Sequence, residues 1–373
     1  MNLIPPTTIT DAILYEAGCS ITEPSSSESN GVTALTIVDS ACVEGDGTYA
    51  LIFTGGGAAE VATGTYTILS NVITAVNLTY GGEYYTSAPT VATQTGDGSV
   101  TATWADGNYR GEWAVGTTYS VNAIVIVVAD HRRYLSLQNT NVGYTPGGAG
   151  NDAWWLDYGA SERWKVFDGG VGSQASATGT ITYELDPGPI DSVAILNIEA
   201  ANVTVTMTDV GGAGDPVVWT TDTYVDGLYT SDIVKTDFPL TYLTPHLVIE
   251  IENTGGTALV GEIVVGVKES LGLTRYNPSV GITDYSIKDV DDFGNYTVLE
   301  RAYSKRLSCQ TFVENTNLDA VYNVLAEHRA TAVVWVGSED YASMIVYGFY
   351  KDFSIEIPYP NHSLCSLEVE GLV

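Results

Sequence analysis

Residues 112–168 read EWAVGTTYSVNAIVIVVADHRRYLSLQNTNVGYTPGGAGNDAWWLDYGASERWKVFD. The run 124–128 is a continuous apolar stretch with the length of a buried strand. A polar tip follows at 130–132, and a second strand is predicted to begin near Tyr134. The Asn-, Gly- and Pro-rich segment 139–151 predicts a long loop. Together these features predict a small β unit.

Aromatic residues are concentrated in this unit, which holds four of the seven tryptophans in the chain. A small domain has little core, and large aromatic side chains supply much burial per residue. We therefore assign Trp113 and Tyr119 to the core. Tyr144, Trp154 and Trp155 lie on or beside the long loop and are the better candidates for exposed rings that stack on sugars.

The order W-x5-Y, β run, Y-x-S-L, G-Y-T-P and W resembles small carbohydrate-binding modules of the chitin-binding type. The matching positions are Trp113, Tyr119, Tyr134, Gly143, Pro146 and Trp154. The resemblance implies glycan binding, for which our candidate residues are Tyr144, Trp154, Trp155 and Tyr134. Members of this family usually carry exposed tryptophans just after the second tyrosine, where this chain has Leu, Ser, Leu and Gln at 135–138.

Several further motifs resemble tail proteins of tailed bacteriophages. The segment 155–168 has the pattern W-L-D-x-G-x-x-x-R-W-x-x-F-D found in such proteins. The runs 329–337, 347–355 and 365–372 are similar to the C-terminal domain of a distal-tail or baseplate-hub type protein. In the earlier part of the chain, a Gly-Gly turn followed by Y-x-x-x-P-x-V resembles a phage spacer module, with matching residues at Gly81, Gly82, Tyr85, Pro89 and Val91.

Charge and composition restrict the partners. The chain has 373 residues and a net charge of −31, and its first basic side chain is Arg110. Nucleic acid and anionic membranes are not expected partners, because both need Lys or Arg to neutralise phosphate. No secretory signal is predicted, and no run approaches the roughly 20 apolar residues of a membrane span. The acidic surface suits solubility, or the docking of a basic partner or divalent cations.

Catalytic and metal-binding patterns are weak. The four cysteines are widely spaced, and the four histidines show no zinc-binding spacing, so we predict no metal and no cofactor. Cys309 with His328 is a conceivable peptidase pair, although we expect His328 to end a helix instead. The acidic run 289–295 is interpreted as a hairpin turn, with calcium binding as the alternative.

The predicted fold is mainly β, with β-sandwich or jelly-roll modules and a C-terminal α+β domain containing one helix. That helix is predicted from Leu318, Val321, Tyr322 and Leu325, with Asn315 or Asn317 as its cap. The predicted segments are 1–30, packing on a later domain; 31–104, a spacer module; 105–160, the carbohydrate-binding-like module; 161–272, a β-sandwich; and 273–373, an assembly domain.

We therefore expect a non-enzymatic structural protein of a phage tail tip, made in the host cytoplasm and located in the virion tail. Its expected partners are other tail proteins, further copies of itself in a trimeric or hexameric ring, and a host surface glycan. Neither nucleic acid nor membrane insertion is expected. The alternatives are a receptor-binding adhesin that recognises host polysaccharide, and a glycosidase with an appended binding module.

Overall fold

The computed structural model describes residues 1–15, 18–21, 31–58, 61–80, 85, 87–95, 98–105, 109–119, 121–212, 214–290 and 296–373. The protein is 52% strand and 8% helical, which confirms the predicted mainly β fold. The predicted Gly-Gly turn at 81–82 and residues 291–295 of the predicted hairpin turn lie outside the described residues.

The chain forms two compact units. Met1–Thr22 and Glu162–Val373 make up the terminal unit, and Glu23–Ser161 makes up the inserted unit. The predicted spacer and carbohydrate-binding-like modules both fall within the inserted unit. The finer division into five segments stays a prediction.

The strands of the first part of the chain alternate with short turns. They are β1 (Asn2–Ile4), β2 (Gly31–Asp39), β3 (Gly47–Ala50), β4 (Ile52–Thr54), β5 (Thr63–Leu69), β6 (Val72–Tyr80), β7 (Thr90–Ala92), β8 (Ser99–Ala105), β9 (Tyr109–Glu112), β10 (Ile124–Val127), β11 (Arg132–Ser136) and β12 (Trp155–Ala160). A 3-10 helix at Val128–Asp130 follows β10.

The second part of the chain is built the same way, with one α-helix among its described residues. Its strands are β13 (Ala175–Leu185), β14 (Ser192–Leu196), β15 (Asn202–Asp209), β16 (Val217–Asp222), β17 (Tyr224–Val225), β18 (Leu228–Tyr229), β19 (Ile233–Lys235), β20 (Pro245–Val260), β21 (Glu262–Gly266), β22 (Glu269–Ser270), β23 (Leu273–Thr274), β24 (Ser279–Asp284), β25 (Ile287–Val290), β26 (Tyr296–Leu299), β27 (Tyr303–Glu314), β28 (Val333–Val336), β29 (Ile345–Glu356) and β30 (His362–Gly371). The helix is α1 (Leu318–Glu327), and 3-10 helices lie at Glu162–Phe167, Asn315–Asn317 and Ala342–Met344.

In the inserted unit, the sheets β2-β8-β7-β4 and β3-β5-β6 share one apolar core. Tyr66 and Tyr85 are fully buried within it. The hydroxyl oxygen of each ring accepts a hydrogen bond from a backbone N–H. Tyr66 accepts from Gln94 at 3.0 Å, and Tyr85 accepts from Ala62 at 2.9 Å. Buried phenols need such partners, so these two rings hold the loops around them in place.

The aromatic module forms the sheet β12-β11-β10-β9. β10 confirms the predicted buried strand, and β11 confirms the second strand. β10 and β11 are antiparallel, while β9 runs parallel to β10. His131, in the predicted polar tip, has a φ of 53°, which is the left-handed conformation of a tight turn.

The terminal unit is organised around the sheet β22-β1-β28-β29-β30-β27-β23, with β24 also paired to β27. One face packs against α1, whose Val321 and Leu325 share a core with Trp335. On the opposite face, Val334 shares a core with Ala194 of the sheet β19-β14-β21. β14, β21 and β28 are buried along their whole length, as expected for strands covered on both faces.

Helix α1 confirms the helix predicted from the apolar spacing, and His328 follows as its C-cap. The predicted side-chain cap is wrong, because Asn317 makes no capping hydrogen bond. Asn315 instead donates its side-chain amide to the Tyr359 carbonyl and accepts from the Ser363 hydroxyl. The side chain of Asn315 therefore makes tertiary hydrogen bonds instead of capping the helix. Within the described part of the chain, no helix is long and apolar enough to cross a membrane.

One buried carboxyl in the terminal unit, that of Glu262, makes the stability of the fold depend on pH. Glu262 begins β21, is buried, and accepts the Gly169 N–H at 3.2 Å. Burial, followed by the nearby Asp168 carboxylate, raises the pKa of Glu262 to about 9. Glu262 is therefore protonated at neutral pH in the folded chain, whereas it is ionised in the unfolded chain.

We predict that the Glu262→Gln variant is more stable than the wild type at alkaline pH. A carboxyl whose pKa is raised by folding destabilises the fold increasingly as the pH rises from its ordinary value towards about 9. The substituted amide would keep an acceptor for Gly169 without ionising. Thermal unfolding should show a gain of at least about 3 °C at pH 8.5 and equal stability near pH 4. A gain that does not change with pH would contradict this account.

Candidate carbohydrate-binding site

The loop between β11 and β12 is held by its own hydrogen bonds. Leu137 donates its N–H to the Trp154 carbonyl at 2.9 Å, which closes the loop at its base. Inside the loop, Asn151 donates its side-chain amide to the Thr145 carbonyl at 2.8 Å and its backbone N–H to the Gly148 carbonyl at 3.0 Å. The predicted long loop is therefore an ordered structure, which can position a side chain for binding.

Asn141 ties this loop to the segment before β10. It exchanges two backbone hydrogen bonds with Tyr119, at 2.8 and 3.0 Å. Its buried side-chain amide donates to the Ser136 hydroxyl at 3.0 Å and to the Trp154 carbonyl at 3.2 Å. Because Asn141 bonds to three different segments at once, it determines the position of the loop base.

The most prominent aromatic pair of the module is Tyr144 on Trp154. The two rings are stacked, with centroids 3.9 Å apart and an interplanar angle of 12°. Trp154 is half-buried and packs against the module core, while Tyr144 is 36% exposed. The Tyr144 carbonyl also accepts the indole N–H of Trp155 at 2.8 Å. Tyr144 is thus a supported ring whose outer face is open to solvent.

Tyr134 and Trp155 occupy the core instead. They are 6% and 3% exposed, and both share a cluster with Tyr119. The expectation that Trp155 is exposed is therefore wrong, and Tyr134 likewise presents no open ring face. Trp155 lies edge-on to Tyr119, with centroids 5.4 Å apart. Tyr119 is buried and Trp113 packs on this cluster, which confirms the core assignment of both.

Tyr158 is an exposed aromatic residue that the motifs did not indicate. It lies on β12 and is 44% exposed. The guanidinium of Arg133 lies over its ring, 5.4 Å from the centroid, as in a cation–π contact. Strand alternation does not account for this exposure, because Leu156, Asp157 and Tyr158 are all exposed and the register of β12 shifts beside Tyr158.

The loop that carries Tyr144 has little charge. Residues 137–154 contain a single ionisable side chain besides Tyr144 itself, that of Asp152. Burial, followed by the Asp157 carboxylate, raises the pKa of Tyr134, so the phenol beneath the loop is neutral at physiological pH. An uncharged aromatic face suits the apolar face of a neutral sugar rather than an anionic ligand.

The thiol of Cys309 and the potential metal ligands are not arranged for catalysis or metal binding in the described part of the chain. The Cys309 thiol is buried, with its sulfur 3.9 Å from the sulfur of Met1. Burial raises the pKa of Cys309 to about 11, so the reactive thiolate is scarce at neutral pH. Among the described residues, no cluster of three or more His, Cys, Asp or Glu side chains could hold a metal ion.

No protein-family model matches the chain, and no curated protein matches it either. The likeness to carbohydrate-binding modules and phage tail proteins therefore rests on the motifs quoted above.

We predict that Gly147→Ala destabilises the module more than Gly143→Ala does. Both glycines have a positive φ, but an added Cβ at Gly147 would lie 2.6 Å from the Tyr134 hydroxyl, whereas Gly143 faces open space. The control should therefore show only the backbone strain, about 1–2 kcal/mol. Urea unfolding followed by tryptophan fluorescence would measure the difference. Combining Gly147→Ala with Tyr134→Phe should narrow the gap, and an unchanged gap would contradict the clash.

Proposed function

We propose that this protein is a structural component of a phage tail tip that assembles in a ring and presents a glycan-binding module to the host surface. The observation that carries the glycan-binding part is the supported, open ring of Tyr144 stacked on Trp154. The tail-tip part is supported by the three ordered motifs at 329–337, 347–355 and 365–372.

The geometry of the module supports reversible sugar binding. A fixed ring loses little conformational entropy when a ligand stacks on it. One aromatic platform gives weak affinity, and repetition around a ring would strengthen attachment through avidity. A weak single site repeated in space is suited to a host surface, where the same sugar recurs along a polymer.

A receptor-binding adhesin is the second candidate function. The same observation favours it, because the Tyr144 platform is built from residues of one chain. The two candidates differ in assembly, since an adhesin binds host polysaccharide as an isolated chain, whereas a tail-tip component forms a ring with its neighbours.

We predict that Tyr144→Ala reduces glycan binding by about tenfold or more, because it removes the stacking face that the Trp154 pair leaves open. The full chain would be tested for retention on insoluble chitin and on purified bacterial surface polysaccharides. Tyr158→Ala is the matched control, since Tyr158 is an exposed tyrosine of the same module that lies on β12, outside the loop that carries Tyr144.

Both variants should melt within about 5 °C of the wild type, since each loses one ring contact worth about 1 kcal/mol. Equal retention of Tyr144→Ala and wild type on a retained polysaccharide would contradict the assigned platform. Failure of the wild type to bind any polysaccharide would contradict the glycan-binding function and leave the assembly role to be judged separately.

We also predict closed rings in negative-stain electron micrographs of the purified chain at micromolar concentration. Head-to-tail contacts between identical subunits close into rings when the rotation per subunit divides the circle. Trimeric or hexameric rings would support the tail-tip role, and isolated single particles at every concentration would contradict it.

A further inference from the structure

A cavity of about 220 Å³ lies in the terminal unit, lined by residues on or next to β14, β19, β27 and β29. Its apolar wall includes Leu196, Ile345 and Leu372, which belong to the core that β14 shares with β28. Tyr303 also lines the cavity and is 55% exposed, so the cavity opens to solvent there. An apolar cavity of about 150 Å³ can hold benzene, so this one has room for a ring with a small substituent.

A largely buried ion pair lies on the polar side of the cavity lining. Lys305 pairs with Asp232, which is 6% exposed. The other carboxylate oxygen of Asp232 accepts the Asn197 N–H at 2.8 Å. Lys305 also donates to the Ala342 carbonyl at 2.9 Å, and its third N–H makes no hydrogen bond to any described residue. Both oxygens of Asp232 thus have a partner, whereas Lys305 keeps one donor that a ligand can use.

Two hydroxyls on the lining add further donors. Those of Ser231 and Tyr347 make no hydrogen bond within the described part of the chain. Burial, followed by the Glu262 and Asp168 carboxyls, raises the pKa of Tyr347, so its hydroxyl is protonated and can donate at neutral pH. With the third N–H of Lys305, the lining offers three donors beside an apolar wall. A ligand with an apolar body and an oxygen acceptor matches both parts of this lining.

The charges around the lining favour an uncharged ligand. An anionic ligand would be repelled by Asp232 and by Asp168, which is close enough to act electrostatically on Tyr347. A cationic ligand would be repelled by the ammonium of Lys305. Because Lys305 and Asp232 already balance each other, either kind of ligand charge would stay unpaired in a poorly solvated site. Burial lowers the pKa of Lys305 to about 8, so an added oxygen acceptor would stabilise its ammonium.

We propose that this cavity binds a small uncharged organic molecule that has an apolar ring and an oxygen acceptor. The ring packs on Leu196 and Ile345, and the oxygen accepts the remaining N–H of Lys305. The Ser231 and Tyr347 hydroxyls can bind further polar atoms of the ligand. All residues of this lining belong to the terminal unit of one chain, so the site depends neither on the Tyr144 platform nor on the proposed ring.

The test is an NMR titration of the full chain with benzamide, benzoate and benzamidine. These probes share one shape and size, and at neutral pH they are uncharged, anionic and cationic in that order. Benzamide should bind with a Kd below about 1 mM, and at least about tenfold more tightly than either charged probe. A charged probe that binds as tightly as benzamide would overturn the assigned ligand class. Absence of saturable benzamide binding up to about 10 mM would overturn the site itself.

Two further readouts locate the bound probe. Ser231→Leu places an apolar side chain on the lining and should weaken benzamide binding at least about tenfold. Ser279→Leu is the matched control, since Ser279 is exposed on β24 outside the cavity, and it should bind like the wild type. In the wild type, which needs no folding control, benzamide should shift the methyl resonances of Leu196 and Ile345 but not those of the exposed Ile287. Unshifted Leu196 and Ile345 methyls at saturating benzamide would overturn the proposal.

Discussion

Burial of β28 on both faces is the constraint on which the terminal unit depends. Its four residues Val333–Val336 are all buried, with α1 and its cluster on one side and β14 with β21 on the other. Trp335 has no solvent exposure and donates its indole N–H to the Gly348 carbonyl of the neighbouring strand at 2.9 Å. A strand covered on both sides resists register slip, because a shift would exchange the side chains that fill the two cores.

The core around β28 stabilises the terminal unit without help from the exposed apolar residues at its surface. The hairpin β25–β26 follows β24, which pairs with β27 of this sheet, and all eight residues of its strands are exposed. In the inserted unit, the buried rings of Tyr119, Tyr134 and Trp155 support the loop that carries Tyr144. In the inserted unit, the packed sheet therefore presents the small exposed element to which function is assigned.

Much of the fold could be predicted from apolar spacing alone. The helix and the strand at Ile124–Val127 were both predicted, because tertiary packing agrees there with local pattern. The candidate site was predicted less well. Trp155 is the first residue of β12 and packs in the core, whereas Trp154 lies just before the strand and is half-buried, a difference that the sequence motif does not show. The exposure of the hairpin β25–β26 was not predicted, because it depends on which other strands pack on the hairpin, and the segments IKDV and YTVL show no alternation that would indicate it.

The account depends most on self-association of a strongly acidic chain, and the mass of the purified protein in solution tests this directly. Light scattering across a range of concentrations at moderate salt should give the mass of a defined trimer or hexamer of the 39.7 kDa chain. A mass of one chain at every concentration and salt would contradict the account. It would leave the Tyr144 platform as the feature of an isolated sugar-binding adhesin.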